Sequence, residues 1–342
     1  MAKSPEISVI VCGVGAFGRN HLRVYRSLQQ SGFPVVLAGI VESDNTRSAA
    51  LHQEWRVPVY NSVEACLTGL RSSNITVDAA SVCVPTVSHF SVASALLSNG
   101  VDALIEKPIA ASLGEASELI ELAARNSRVL QVGHLERFNP AVAAVAPLLN
   151  GPMFFEAHRL SIFSPRSLDV DVVLDLMIHD LDIVLTLTQS PVRHVHAVGL
   201  PILSPKVDIA NVRVEFDSGC VANFTASRVS TERVRKLRFF QPHQYISIDY
   251  ARQDLLAIKV DSEASSLPLT AAMAGLQIEK PLVTQGEPLQ LEVEAFLQSV
   301  QTRRRPVVSG EDGMAALKLA LHINAEIAEH AARAGLDRYS RP

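Results

Sequence analysis

The sequence predicts a doubly wound α/β domain over residues 1–130 and an α+β domain over residues 131–342, the first on a parallel sheet and the second on a largely antiparallel one. Three observations lead there. The chain has 342 residues, long for a single hydrophobic core. Its first 130 residues alternate short apolar runs with stretches of helical periodicity. From about residue 150 the apolar runs lengthen and follow one another with turn residues between them.

The alternation begins with "ISVIVCGVG", an apolar run ending in glycines, and "RNHLRVYRSLQQ", where Leu22, Tyr25 and Leu28 recur at helical spacing. Strand "VVLAGIVES" and helix "NTRSAALHQEW" follow, then strand "VPVY", helix "VEACLTGL", strand "VDAASVCVP" and helix "VSHFSVASALLSNG". Strand "VDALIEKP", helix "SLGEASELIELAARN" and strand "RVLQVGHLERF" complete the series. Strands separated by helices imply crossovers, which put helices on both faces of a parallel sheet. The second domain reads as strands "MFFEAHRLSIF", "HVHAVGLPIL", "DIANVRVEFDSG", "VANFTASRV", "VRKLRFFQP" and "QYISIDY", with a turn at Asp217-Ser218-Gly219. Helices are expected at 172–188, 288–301 and 311–333, and residues 262–286, with scattered Ser, Pro, Gly and Thr, read as loop.

Composition narrows the partners. Hydrophobic residues make up 48% and charged ones 19%, as in an ordinary globular protein. A formal charge of -4 with no long basic stretch offers no footprint for nucleic acid or an anionic membrane, so a small molecule is the expected partner. No apolar segment has the length of a spanning helix, and "MAKSPEIS" lacks a signal peptide's apolar stretch, which predicts a cytoplasmic protein. Cys12, Cys66, Cys83 and Cys220 form no CxxC pair, so neither disulfides nor a zinc site are expected; Cys12 and Cys83 read as core thiols. His194 and His196 alternate on a strand without a third ligand nearby, and no metal is expected. "RRRP" at 303–306 reads as a solvated helix end.

Ligands of doubly wound domains sit outside the carboxyl ends of the strands, and the first turn there is "GVGAFG". Gly13, Gly15 and Gly18 fit G-x-G-x-x-G between strand and helix: one for the turn, one for close approach to a pyrophosphate, one for helix–strand packing, with Ala16 and Phe17 opening the helix. Glu42, 24 residues after Gly18, ends the second strand where an acid meets an adenosine ribose. A carboxylate there repels a 2'-phosphate, so NAD is expected over NADP, with Arg47 nearby as a moderating cation. Lys107 ends the fifth strand on the same rim, and Pro108 stops that strand. Glu106 and Lys107 therefore read as charges facing the crevice, with an exposed ion pair as the alternative.

Together "GVGAFG", "EKP" and "DLMIHDLD" resemble the glucose-fructose oxidoreductase / inositol dehydrogenase / MocA family over nearly the whole chain. The resemblance implies a Rossmann domain binding NAD, then an α+β domain whose open sheet supports a homo-oligomer, dimer or tetramer. It makes Lys107, Asp175 and His179 catalytic, and "VPTVSH" a cofactor-contacting loop with Pro85, Thr86 and His89; Glu106 joins that set beside Lys107. Asp175 and His179 are four apart, so on a helix they share a face, where a carboxylate can steer an imidazole; Asp182 competes for that role. Oxidising a secondary alcohol needs a hydride acceptor and a base for the hydroxyl proton. An imidazole suits the base, and Lys107 suits stabilisation of the developing oxyanion, although the two exchange roles across the family.

"VGHLERFNP" resembles the matching segment of a subgroup that oxidises nucleotide sugars, including C3 of UDP-N-acetylglucosamine, so the implied substrate is a UDP-sugar. Arg137, Asn139 and Arg159 are the expected substrate contacts, with a polar hinge around Phe138 and Pro140 as the alternative for the first two; Arg166 is a further arginine near the same run. A free polyol such as inositol, or a non-catalytic dinucleotide sensor, are the competing readings.

Overall fold

The computed structural model describes residues 6–163, 170–260 and 276–336. The chain forms two units, Met1–Leu135 with Leu289–Met314, and Glu136–Pro288 with Ala315–Pro342. Arg166 and residues 262–275 of the expected loop lie outside the described residues.

The first unit runs β1 (Ile7–Cys12), α1 (Ala16–Gln30), β2 (Val35–Val41), α2 (Asn45–Trp55), β3 (Val59–Tyr60), α3 (Val63–Ser72), β4 (Ala79–Val82), α4 (His89–Ser98), β5 (Asp102–Glu106), α5 (Leu113–Arg125) and β6 (Leu130–Gly133). Its six strands lie in the order β3-β2-β1-β4-β5-β6, all parallel, the arrangement of a dinucleotide-binding domain. β4 and β5 are buried throughout, as strands covered on both faces must be.

One element departs from the expected boundary. The helix Pro288–Thr302, expected in the second domain, belongs to the first unit apart from its initial residue. Its Leu289, Val293, Phe296, Leu297 and Val300 share one apolar cluster with Leu22, Tyr25 and Leu28 of α1 and with Val9 and Val11 of β1. An apolar stripe goes where it finds a complementary one, whatever its distance along the chain.

The second unit carries α6 (Pro140–Ala143), β7 (Phe154–Ile162), a π-helical turn Val173–Met177 running into α7 (Ile178–Thr188), β8 (Val192–Leu200), β9 (Ile209–Phe216), β10 (Val221–Ser230), β11 (Val234–Gln241), β12 (Gln244–Asp249), β13 (Asp254–Val260) and β14 (Leu276–Glu279). After β14 come α8, the helix Pro288–Thr302 of the first unit, and α9 (Gly310–Ala334), most of which belongs to the second. The strands form one sheet, β14-β13-β12-β11-β7-β10-β9-β8, antiparallel except for β7 beside β10. One face packs Phe155, Phe224, Leu237, Phe239 and Ile246 with Leu181 of α7 and Ile323 of α9. Opposite it, Phe154, Phe240 and Tyr245 stay partly exposed, with ring centroids 5.6 and 5.1 Å apart along the row. β13 and β14 extend the sheet beyond the strands expected from the sequence. Cys12, Cys66 and Cys220 are buried, and Cys83 is half-buried.

Candidate active site

The glycine loop of the first unit is built by close approach. Gly13 has φ +84°, and a Cβ there would meet the Val84 amide nitrogen at 2.7 Å. A Cβ on Gly18 would fall 2.0 Å from the Gly13 carbonyl oxygen. At Gly15 a Cβ would meet nothing within 4 Å, so this exposed residue keeps open space in front of the helix. Gly15 caps α1 with no side-chain bond, which leaves the first-turn amides for an anion. A pyrophosphate fits that cradle.

Glu42 follows β2 beside the loop and is nearly buried, with 7% exposure. Its carboxylate accepts from the Val14 amide at 3.1 Å and the Asp44 amide at 3.2 Å, and pairs with Arg47 at 3.2 Å. The Arg47 guanidinium also donates to the Val14 carbonyl. Glu42 thus holds both the loop and the one cation expected to moderate its selectivity.

Among the residues of "VPTVSH", Pro85 is exposed and Thr86 half-buried, but His89 is 1% exposed. Its Nδ1 lies 2.8 Å from the Pro108 carbonyl and its Nε2 2.9 Å from the Val84 carbonyl. Burial lowers its pKa, against the raising effect of those carbonyls. The cofactor contact expected of His89 is corrected: its buried ring lies between the loops after β4 and β5, where a neutral imidazole donates its one N–H to one of the two carbonyls.

Glu106 is corrected as well. Lys107 is half-buried after β5, and the peptide bond into Pro108 is cis. Glu106 turns into the interior of the first unit, where Oε1 lies 2.9 Å from His21 Nε2. Gly133 of β6 makes the room, since a Cβ there would stand 2.8 Å from that oxygen.

In the second unit, Asp175 lies within the π-helical turn and His179 in the first turn of α7, so the pair spans a π-to-α junction of the kind often found at functional sites. Asp182 does not compete for His179. It takes Arg137 in a bidentate pair, Nε to Oδ2 at 2.7 Å and Nη2 to Oδ1 at 3.2 Å.

The expected substrate contacts prove to be committed elsewhere. Arg159, 3% exposed, donates to Asp180 at 2.7 and 3.0 Å and to Glu136 at 3.0 Å, with the Tyr250 ring 5.1 Å from its guanidinium carbon. Burial alone would depress its pKa, and Asp180 and Glu136 more than reverse that effect. Asn139 caps α6 through the Ala141 amide at 3.1 Å and donates to Glu136 at 3.2 Å and to the Tyr250 carbonyl at 3.0 Å. Asn139 and Arg159 therefore belong to the polar interior of this unit, and Arg137 is half-buried beside Asp182. Sequence reasoning missed Asp180, which carried no signal beyond its place beside His179.

A glycine loop with an acid at the second strand, a lysine at the fifth strand end and an Asp-x-x-x-His pair on a helix define a dinucleotide-dependent oxidoreductase. The comparisons agree. Residues 7–134 match the model described as "Oxidoreductase family, NAD-binding Rossmann fold" and residues 154–242 the GFO/IDH/MocA C-terminal domain. A UDP-N-acetylglucosamine 3-dehydrogenase of Acidithiobacillus ferrooxidans is 35% identical over 93% of this chain and 96% of its own. A crystal structure of the enzyme of that name from the same organism superposes with TM-score 0.83, covering 94% of this chain and 98% of the other at 33% identity. More distantly, a myo-inositol 2-dehydrogenase of Thermotoga maritima is 24% identical over 71% of this chain and 75% of its own. The chain belongs to the GFO/IDH/MocA oxidoreductase family, and its cofactor is NAD. No helix among the described residues is long and apolar enough to cross a membrane.

Proposed function

We propose that this protein oxidises C3 of UDP-N-acetylglucosamine, or of a close UDP-hexosamine, to the 3-keto sugar. The observation that carries the reading is the 35% identity to a UDP-N-acetylglucosamine 3-dehydrogenase along nearly the full length of both chains. NAD, when bound in the glycine cradle, supplies the hydride acceptor. His179 takes the hydroxyl proton on its imidazole, a group whose ordinary titration range suits a base at neutral pH. Lys107 Nζ donates a hydrogen bond to the oxygen as its negative charge develops. Asp175 orients the imidazole.

The diphosphate of such a substrate needs a donor. Arg235 on β11 stands directly opposite Arg159 on β7, so the two share a sheet face. Arg235 is exposed, and no carboxylate among the described residues pairs with it. Partial burial and then repulsion from Arg159 lower its pKa, so an anion beside it would be favoured.

A panel of UDP-sugars and free polyols with NAD, coupled to an aminotransferase that traps the ketone with an amino acid as its amino donor, tests the reading by mass spectrometry of the products. Turnover of UDP-N-acetylglucosamine to a trapped 3-amino sugar is expected, with Arg235→Ala raising KM about tenfold and leaving kcat nearly unchanged. Turnover of myo-inositol or a free hexose but of no UDP-sugar would overturn it. The homo-oligomer implied by the family resemblance belongs to the same reading, and the partly exposed Phe154, Phe240 and Tyr245 offer it an apolar sheet face.

A further inference from the structure

The interior of the first unit holds an acid that the reaction does not use. Glu292 on α8 is 0% exposed, and neither carboxylate oxygen has a hydrogen-bond partner among the described residues. Its oxygens aim at Glu106 and His21: one ligand atom from each of the three residues lies within 4.8 Å of the others. A buried carboxylate left charged and unsatisfied is strongly destabilising, so either a proton or a cation must neutralise this cluster.

The surroundings are prepared for a ligand. His21 is fully buried, its Nε2 facing Glu106 at 2.9 Å and its Nδ1 held 3.1 Å from Ser81 Oγ, which in turn contacts the Tyr25 hydroxyl at 2.8 Å. A chain that fixes one ring nitrogen while the other faces carboxylates is the usual outer support of a metal-bound histidine. Gly133 keeps the space Glu106 occupies. A proton shared between the two acids would set their oxygens about 2.5–2.7 Å apart. An ion with ligands at about 2.1 Å instead sets neighbouring donor atoms about 3.0–3.4 Å apart and opposite ones about 4.2 Å apart, within the observed spread. Its two positive charges would offset the two carboxylates, and one imidazole with two carboxylates is a donor set suited to zinc or a similar first-row divalent ion.

We propose that His21, Glu106 and Glu292 bind one divalent ion of the zinc class inside the first unit, as a structural centre locking α1, β5 and α8 together. The test uses the full chain stripped with a chelator and dialysed. Titrated with zinc alone, the wild type should take up about one equivalent that Glu292→Gln does not. Its unfolding temperature should rise by about 5 °C or more at zinc concentrations about 100 times Kd. Cobalt(II) should give visible ligand-field bands in the wild type, a readout that stands even if the variant fails to fold. No stoichiometric uptake, equal uptake by Glu292→Gln, or a featureless cobalt spectrum would overturn the proposal.

Discussion

Replacing Arg159 with methionine separates a structural role from a substrate contact, because the two predict losses in different quantities. The guanidinium is 3% exposed and makes three charge-assisted bonds of 2.7, 3.0 and 3.0 Å to Asp180 and Glu136, themselves 2% and 6% exposed. Removing the cation leaves two buried carboxylates facing one another, and breaking such a pair from one side costs about 3–5 kcal/mol. That is a large share of the roughly 5–15 kcal/mol that holds a protein folded. Urea titration followed by far-ultraviolet circular dichroism should show the loss, provided that the second unit's transition is followed separately if the units unfold independently. Adding Asp180→Asn to the variant should recover part of the loss, since it removes one orphaned charge. KM for a nucleotide sugar, measured on the folded fraction, should stay within about twofold of the wild type. A stability loss under about 1 kcal/mol accompanied by a tenfold or greater rise in KM would refute the assignment and return Arg159 to the substrate.

Three further outcomes follow from the site. NAD should bind at least about tenfold more tightly than NADP, equivalent to about 1.4 kcal/mol, and Glu42→Ala should erase the preference by freeing Arg47 for a 2'-phosphate; equal affinities in the wild type would remove Glu42 from its role. Lys107→Ala and His179→Ala should each lower turnover about 100-fold with NAD affinity nearly unchanged, and Asp175→Ala less, as single-turnover kinetics and NAD titration would reveal. Asp208 Oδ2 accepts the Ile202, Leu203 and Ser204 amides at 2.8, 2.6 and 2.8 Å; burial alone would raise its pKa, but these bonds and that from the Ser204 hydroxyl hold it below the ordinary aspartate range. Its stabilising contribution is therefore present above the unfolded carboxyl's range and lost as pH falls through the lowered folded value, so Asp208→Asn should flatten the acid arm of a stability–pH curve.

Local signals carried the first unit. Apolar runs followed by glycine or proline fixed β1 and β5, and helical spacing of Leu22, Tyr25 and Leu28 fixed α1, because each depends on neighbours a few residues away. The return of α8 to this unit was not legible, since its stripe is apolar in either setting. β14 escaped for a different reason: Leu276–Glu279 pairs with β13 alone, with three of four residues exposed, and its alternation of Leu276 and Ile278 with polar residues is too short to mark a strand. Arg137 and Arg159 were ambiguous in sequence for a third reason. An arginine looks the same in sequence whether it waits for a diphosphate or neutralises a buried aspartate, and only the positions of Asp180 and Asp182 decide between them.

The strand end Glu106-Lys107-Pro108 shows how far a motif can be read. Two adjacent charges suggested one shared destination, yet Glu106 is the last residue of β5 and turns inward, while Lys107 already lies past the end of the strand. Glu106 goes inward because three distant choices prepare its place: an imidazole on α1 at hydrogen-bond distance, a glycine on β6 in place of a side chain, and a helix from near residue 290 that covers it. The carboxylate is anchored by partners that local periodicity never connects. With its neighbour held from inside, the backbone at Lys107 is fixed by the interior of the unit as well as by Pro108. If Lys107 is the group that meets the reacting oxygen, its placement is set by packing around Glu106, and Gly133→Ala, which drives a methyl to about 2.8 Å from the Glu106 oxygen, should lower kcat while leaving every active-site side chain in the sequence intact. Steady-state kinetics on a Gly133→Ala protein that still binds NAD decides this; unchanged kcat would show that Lys107 is placed independently of the carboxylate beneath it.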